Sequence, residues 1–450
     1  MERPTVDQNS DSFIVSILLP PQPTGKISRL AMQAWFQQGH ILAALETFHR
    51  ELGDVFRIPL PGFRPVVLVG PEANRFVFLT GREQLLWRAE NDPVTKLLRH
   101  GVLVEDGEAH HQLRTVMAPV LHRRRLNEYI PMMVNCLDRV SATWIHNSSQ
   151  NMLNEMRRAT LLILIQTLFG VDFSPNLDRL WPAILRILAY ISPGAWLVWP
   201  NIPRPGYRSA IQRMDDYLFQ IIRARRNCPD LGDDLLSLLV ATPGFSDGVI
   251  RDQLLTMLIA GHDTSTALLA WTLYLLGLHP KAMTRLQEEV DTMVGDQEPS
   301  DKNLRQLHYL EQVVKESLRL YPPIHLGQRL ADTDFSFHNY HISAGTRVIY
   351  SIYLTHRDPN YWPDPAQFLP ERFHAKTGQQ QVPHTYVPFG GGARNCIGAG
   401  FGLVEAKVVL ARLIQQFELT LIEKKVHPHM GATLEPHPGV IMQTRPRRQR

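Results

Sequence analysis

Residues 388–402 read PFGGGARNCIGAGFG, a glycine-rich run that carries Cys396, one of three cysteines in the chain. Three chemistries use such a loop: cradling a phosphate, presenting a nucleophile, or holding a metal. A phosphate loop closes on Lys-Ser/Thr and a dinucleotide fingerprint needs GxGxxG after a strand, and this stretch has neither. The nucleophile stays open here, because 19 histidines offer bases whose pairing is invisible in sequence. The metal reading uses the most residues. Cys396 precedes the amphipathic run GFGLVEAKVVLARLIQQFEL, so a helix N-terminus is expected to lower its thiol pKa. The glycines are expected to let the backbone approach a flat ligand over the sulfur. One thiolate completes the protein ligand set for one such centre, haem, whose porphyrin supplies the other ligands.

With 450 residues, 44% of them hydrophobic, the chain can bury a large core, and no linker, repeat or low-complexity tract divides it. Residues 29–450 are read as one domain behind a partly flexible N-terminal extension, 1–28. A net charge of +4, from 47 basic and 43 acidic residues, sets up no field that implies nucleic acid. The runs HRRRL (122–126) and RPRRQR (445–450) read as a solvated face and a frayed end. Cys136, Cys228 and Cys396 are odd in number, widely spaced and without a CxxC. That argues against a disulfide framework or thiolate zinc and for a reducing compartment, so a cytoplasmic protein is expected. The apolar run near the N-terminus is about seven residues long, too short to span a membrane.

Helical periodicity dominates, with short strand candidates at VFRIPL, PVVLVG and after LYPP. The fold class is mainly α with a minor β part. ISRLAMQAWFQQGHILAALETFHREL reads as one amphipathic helix, and HHQLRTVMAPVLHRRRLNEYIPMMVNCLDRVSATW as helical throughout. The longest helix runs from Val249 to His279 and is almost uncharged from Leu254 to Leu278. A membrane span is weighed against a buried soluble helix, and His262 and Asp263 at its centre favour the latter, since a central Asp costs about 2.5–3.5 kcal/mol in a bilayer. The simplest account of GHDTS there is a satisfied core Asp, with Thr264 bonding back to the carbonyl of residue 260. In the stretch around Glu316 and Arg319, Leu310, Val313, Val314, Ser317, Leu318 and Tyr321 form the core stripe. Periodicity therefore reads the Glu-Arg pair as a solvated ion pair.

FGGGARNCIG (389–398) resembles the haem-binding signature of the cytochrome P-450 monooxygenases, in which Phe389, Arg394 and Gly398 flank the ligating Cys396 at matching spacing. Three further motifs follow the family's order. AGHDTS (260–265) is similar to the oxygen-activating motif of the long central helix, ESLR (316–319) to the Glu-x-x-Arg pair, and PERF (370–373) to the segment whose Arg372 completes a triad with Glu316 and Arg319. The resemblance implies a cytochrome P-450 fold, haem b with Cys396 as axial ligand, and a buried brace where periodicity reads a solvated pair. It also implies propionate contacts from Arg329, Arg394, Arg114 and, where the family pattern has Trp, His110, with the adjacent His111 as a competing candidate.

The activity implied is oxygen-dependent monooxygenation, with Asp263 and Thr264 delivering protons, the acid linking the hydroxyl to solvent, and Gly261 leaving room for oxygen. Electrons are expected from a separate ferredoxin or flavodoxin and its NAD(P)H reductase, docking on Arg123–Arg125, Lys407 and Arg412. The substrate implied is a small hydrophobic molecule such as a terpenoid, fatty acid or steroid-like compound, to be hydroxylated or epoxidised. Leu86–Val104, PPIHLG and RILAYISPGAWLVWPNIP are expected to line its pocket or entrance. The last segment, with Tyr190, Trp196 and Trp199, reads equally as core or as an entrance touching a membrane surface. A monomer is expected. The alternatives are a haem-thiolate peroxygenase, isomerase or dehydratase, and a non-catalytic haem-based ligand binder or sensor.

Overall fold

The structure, a computed structural model, describes residues 18–90, 92–144, 148–193, 206–376 and 381–447. Its helices in chain order are α1 (Gly25–Gln38), α2 (Leu42–Leu52), α3 (Pro71–Arg75), α4 (Pro93–Leu98), α5 (Gly107–Met117), α6 (Arg123–Ser141), α7 (Met152–Phe169), α8 (Leu177–Ile191), α9 (Tyr207–Arg226), α10 (Leu235–Ala241), α11 (Asp247–Leu278), α12 (Pro280–Met293), α13 (Asp301–Leu304), α14 (His308–Leu320), α15 (Ile352–Thr355) and α16 (Ala399–Gln416). The strands are β1 (Val55–Arg57), β2 (Val66–Leu68), β3 (Leu85–Leu86), β4 (Ser149–Asn151), β5 (Leu326–Ala331), β6 (Phe335–Phe337), β7 (Tyr340–Ile342), β8 (Arg347–Ser351), β9 (Phe417–Leu421), β10 (His427–Met430), β11 (Leu434–His437) and β12 (Ile441–Pro446). The architecture is mainly α with small sheets, as the periodicity predicts.

α11 is the axle. Ser246 caps it by accepting from the Val249 N–H, and Leu, Ile, Ala and Trp side chains on every face are buried. A helix apolar all round lies inside a domain or a membrane; here α7, α9, α14 and α16 pack along it. Burial of each Leu or Ile contributes about 1.5–3 kcal/mol, so this helix is the centre of the core as well as its longest element. Trp271 stacks on Tyr321 at 3.7 Å and donates its indole N–H to the Leu434 carbonyl at 2.8 Å, tying α11 to the end of α14 and to β11. No helix among the described residues is long and apolar enough to cross a membrane; α11 carries too many polar groups at its centre.

The five-stranded sheet runs β1-β2-β8-β5-β3, with β2 and β8 parallel and its other pairs antiparallel. β12 lies between β4 and β9 in a second sheet, and β6–β7 and β10–β11 are two-stranded. In β5 the register sets Arg329 opposite Val348 and alternates half-buried with buried residues, Arg329 being among the buried.

Three expectations differ from what is found. The first long helical run is two helices: Gly39 adopts φ 75° and donates its N–H to the Trp35 carbonyl at 2.8 Å, ending α1 in a left-handed cap that only glycine takes easily. The run from His110 to Trp144 breaks at Ala118–Leu121, a 3-10 turn, and at His122, which is extended. Pro119, without an N–H, stands at that break. Of the N-terminal extension, residues 18–28 are docked: Leu18 bridges Tyr340, the Pro21 carbonyl accepts from the Arg57 N–H at 2.9 Å, and α1 starts at Gly25. Residues 1–17 lie outside the described residues.

Candidate active site

Cys396 sits two residues before Gly398, the cap of α16, and its N–H donates to the Phe389 carbonyl at 2.8 Å. The sulfur is solvent-accessible, yet burial is the largest effect on its thiol and pushes its pKa up, against the Gly398 N–H and the Arg114 charge. Both observations fit a side chain lining the wall of an interior cavity. The helix end lowers the thiol pKa as expected, but burial outweighs it, and a metal would complete the deprotonation, since coordination deprotonates a thiol outright. Two of the glycines have a packing task besides the one expected. Gly392 has φ 64° and a Cβ there would strike the Phe78 carbonyl, while one on Gly391 would lie 2.9 Å from the Phe78 ring. They let the loop press on the Phe76–Thr80 segment.

The cavity's opposite wall is α11. From Leu254 to Ala270 every side chain is buried except Ala260, Gly261 and Thr264, which form one partly open patch. Gly402 of α16 lies against Ser265, where a Cβ would be 3.9 Å from Oγ, so the helix that follows the cysteine runs beside this patch. The Thr264 hydroxyl donates to the Ala260 carbonyl at 2.6 Å, as the simplest reading of the motif expects. At Gly261 a Cβ would collide with Leu164 Cδ1 of α7. Its missing side chain lets α7 and α11 pack closely, while the residue stays part of the partly open patch.

Asp263 itself has no direct opening to solvent, and its neighbours carry the route outward. Its carboxylate points away from Thr264, fully buried, accepts from Thr433 Oγ1 at 2.8 Å and pairs with Arg157 at 3.4 Å. Arg157 in turn pairs with Glu435 at 2.8 Å. Glu435, on β11, is the cluster's most exposed member, and burial with the Asp263 charge pushes its pKa up. Arg157, Thr433 and Glu435 were not legible in the sequence, since they converge on Asp263 from 106 to 172 positions away.

A set of cations rims the same cavity. Arg329 is buried, has no ion-pair partner among the described residues, and lies over the Trp87 ring at 3.9 Å and the Tyr350 ring at 5.3 Å. Arg394 pairs with Asp106, and Arg114 donates to the Asn395 carbonyl at 2.8 Å and its Oδ1 at 2.5 Å. His110 faces inward and His111 outward. Burial, reinforced by Arg394 and Arg114, pushes the His110 imidazole down to about 4, so near pH 7 it is neutral. Buried Arg329 with the partly buried Arg114 and Arg394 leaves a positive excess over the carboxylate of Asp106, and the buried part of it costs energy unless an anion meets it. A haem with two propionates meets it. The soft sulfur ligand on one wall and this excess at the rim are the donor set haem requires, and Arg suits carboxylates as a bidentate donor.

Glu316 and Arg319 lie side by side at 2.7 and 2.8 Å, both 0% exposed, and Arg372 reaches the same carboxylate at 3.3 Å. The periodicity reading of a solvated pair is thereby corrected: the outer face of α14 is covered by residues 356–372. Arg319 donates to the carbonyls of His356, Pro365 and Gln367, and the Leu369 N–H donates to Glu316. His356 then accepts the Val387 N–H at 2.9 Å, joining the pair to the chain just before Phe389. Burial and the Arg319 charge push His356 down to about 3, which keeps that nitrogen a proton acceptor.

Behind the cysteine, Glu405 of α16 is buried; one oxygen accepts from Ser265 Oγ and Oε1 has no partner. Burial pushes its pKa from 4.5 up to about 8. A carboxyl whose folded pKa is raised contributes most below its unfolded pKa, and stability falls as pH climbs from about 4.5 toward 8. Glu405→Gln, which cannot ionise, should be more stable than the parent at pH 8 by on the order of 3 kcal/mol, the gap closing by about pH 5. Urea titrations at the two pH values check this.

The expected docking cations are largely committed elsewhere. Arg125 pairs with Glu128 and Asp233, Arg412 with Asp138, and Lys407 with Glu311, while Arg124 is exposed. The Arg123 side chain, Trp196 and Trp199 lie outside the described residues. Tyr190 packs on Tyr207 with ring centroids 5.3 Å apart. In the Leu86–Val104 segment, Leu97 and Leu98 are core, and Trp87 is the ring beneath Arg329.

Comparison with known proteins bears on this arrangement as a whole. The family profile described as "Cytochrome P450" matches residues 20–447. "Putative cytochrome P450 139" of Mycobacterium tuberculosis is 31% identical over 418 residues, covering 89% of this chain and 97% of that protein. Cyclooctatin synthase of Streptomyces melanosporofaciens is 29% identical, covering 88% of each. Among solved structures, a cyanobacterial CYP120A1 with retinoic acid bound superposes with a TM-score of 0.83 at 27% identity, over 96% of this chain and all of that one. A cysteine at the head of α16, an arginine-rimmed cavity, a buried Glu-x-x-Arg pair and a family match over nearly the whole chain converge: the protein belongs to the cytochrome P450 family, haem-containing monooxygenases of the oxidoreductase class.

Proposed function

We propose that the protein inserts one oxygen atom of O2 into a small apolar substrate, by hydroxylation or epoxidation, using haem b. Haem held by Cys396 supplies oxygen activation, with the thiolate pushing electron density that favours O–O cleavage. Arg114, Arg329, Arg394 and His110 would hold its carboxylates, and residues 29–450 act as one catalytic domain. The observation that carries the reading is the partly open patch of Ala260, Gly261 and Thr264 in an otherwise buried helix, backed by a charged cluster that reaches the surface.

In that arrangement the Thr264 hydroxyl faces the cavity and holds a proton at Oγ1. Asp263 supplies protons from behind: Glu435, the member nearest solvent, takes a proton up, and Arg157 holds both carboxylates together. A side-chain rotation of Asp263 from Thr433 toward the cavity completes the transfer. Burial and the Asp263 charge make Glu435 retain its proton more readily than a free glutamate.

The electron donor is a separate ferredoxin or flavodoxin with its NAD(P)H reductase. Since Arg125, Lys407 and Arg412 have internal partners, docking relies on Arg124 and on re-pairing of its neighbours. Three cysteines without a disulfide suit the reducing cytoplasm as its location. An apolar terpenoid, fatty acid or steroid-like substrate is supported by the aromatic and aliphatic segments near the cavity, and by the retinoic acid held in the structural neighbour. Turnover of a panel of these compounds with NADPH and surrogate donors tests the reading. NADPH-dependent, O2-dependent product formation is expected. Product formed without reductant, or tight ligand binding with no turnover by any donor pair, would replace the proposal with a peroxygenase, an isomerase or a binding protein.

A further inference from the structure

Away from the haem cavity, three metal-ligating side chains from separate parts of the chain come together. His49 is in the last turn of α2, Asp54 opens β1 just after Gly53, and Asp358 is in the turn after α15. Their nearest donor atoms all lie within 4.8 Å of one another, and His49 Nε2 is 2.8 Å from Asp54 Oδ1. The backbone holds each in place. The Gly53 N–H donates to the His49 carbonyl and the Val69 N–H to that of Asp54, both at 2.9 Å, while the Asp358 carbonyl accepts from Tyr361 and Trp362.

The charge balance is the second observation. Asp358 is 4% exposed; one oxygen accepts from the Asn360 N–H at 2.9 Å and the other takes no hydrogen bond among the described residues. No lysine or arginine pairs with Asp54 or Asp358 there, and His49 is the sole group that can carry positive charge to either. Two carboxylates that share a single imidazole carry a net negative charge, which a cation between them would offset.

We propose that His49, Asp54 and Asp358 form a divalent transition-metal site of the zinc class. One imidazole nitrogen and two carboxylate oxygens are three protein ligands of a four-coordinate ion, with water as the fourth. Bonds of about 2.0–2.2 Å to each donor place the donors about 3.3–3.5 Å apart. The present spacings close to that by side-chain adjustment, the ion replacing the proton between His49 and Asp54. Magnesium and calcium, which take oxygen ligands, fit the imidazole poorly. Such an ion staples the end of α2 to the turn that leads, through Trp362, to the Pro365 and Gln367 carbonyls that hold Arg319.

The test uses haem-loaded protein dialysed against micromolar free zinc, with zinc and iron counted in the same sample. Variants are His49→Gln and Asp54→Asn, both at partly exposed positions, and His437→Gln as control. His437 belongs to the other close group of imidazoles, with ring centroids 5.0 Å from His427 and 5.7 Å from His429 across β10–β11. The expected result is one more zinc per iron in the parent and in His437→Gln than in His49→Gln or Asp54→Asn. The melting midpoint of the parent should rise by about 3 °C at a hundredfold excess of zinc over its Kd. Equal zinc in parent and His49→Gln, or loss of the extra equivalent in His437→Gln, overturns the assignment.

Discussion

Glu316→Ala will leave the Arg319 guanidinium fully buried with no carboxylate, at a cost of about 3–5 kcal/mol. Arg319 then keeps its three carbonyl acceptors but loses both charge-assisted bonds, and Arg372 and the Leu369 N–H lose their acceptor as well. Because the same cluster reaches the Phe389 loop through His356 and Val387, the damage should fall on the position of Cys396 as well as on stability. The expected result is a haem-to-protein ratio near background in the purified variant, with a lowered urea midpoint in what remains. Glu316→Gln, which preserves shape, should lose less of both. A fully haem-loaded Glu316→Ala protein with the parent's midpoint would show that the pair is dispensable.

Asp263→Asn will slow product formation by about a hundredfold, the scale of a displaced general acid. Asparagine keeps a hydrogen bond to Thr433 and still fits between α7 and β11, but carries no proton to deliver and no charge for Arg157. Substrate affinity should be unchanged, since the carboxylate faces away from the cavity, while the solvent isotope effect on turnover should increase. Thr264→Ala should differ in kind: the cavity hydroxyl is gone, so NADPH is consumed at a comparable rate with most electrons lost to peroxide. Parent-like coupling in Thr264→Ala, or a parent-like rate in Asp263→Asn, would remove these residues from proton delivery.

The glycine loop and the long helix were legible because each is local. FGGGARNCIG lies within one stretch, and an uninterrupted apolar run over Leu254–Leu278 needs no partner to be read as buried. The failures share a cause. Glu316 and Arg319 sit on the polar side of α14 by period, and only the cover from residues 356–372, some forty positions on, buries them. Gly261 reads as a gap beside a ligand, and only the approach of Leu164 from α7 shows that close packing also requires a glycine there. Asp263 reads as an acid aimed at Thr264, whereas Arg157 and Thr433, from α7 and the β10–β11 turn, hold it the other way. The break at Gly39 is the exception, because its signal, a glycine within an amphipathic run, is local and present in the sequence.

The central claim is that Cys396 is the axial ligand of a haem. The reduced, carbon-monoxide-bound difference spectrum of the purified protein, recorded beside Cys396→Ser, tests it most directly. The account predicts a strongly red-shifted Soret band in the parent that vanishes in the variant. A parent that folds without taking up haem, or a red-shifted band that survives in Cys396→Ser, would contradict it.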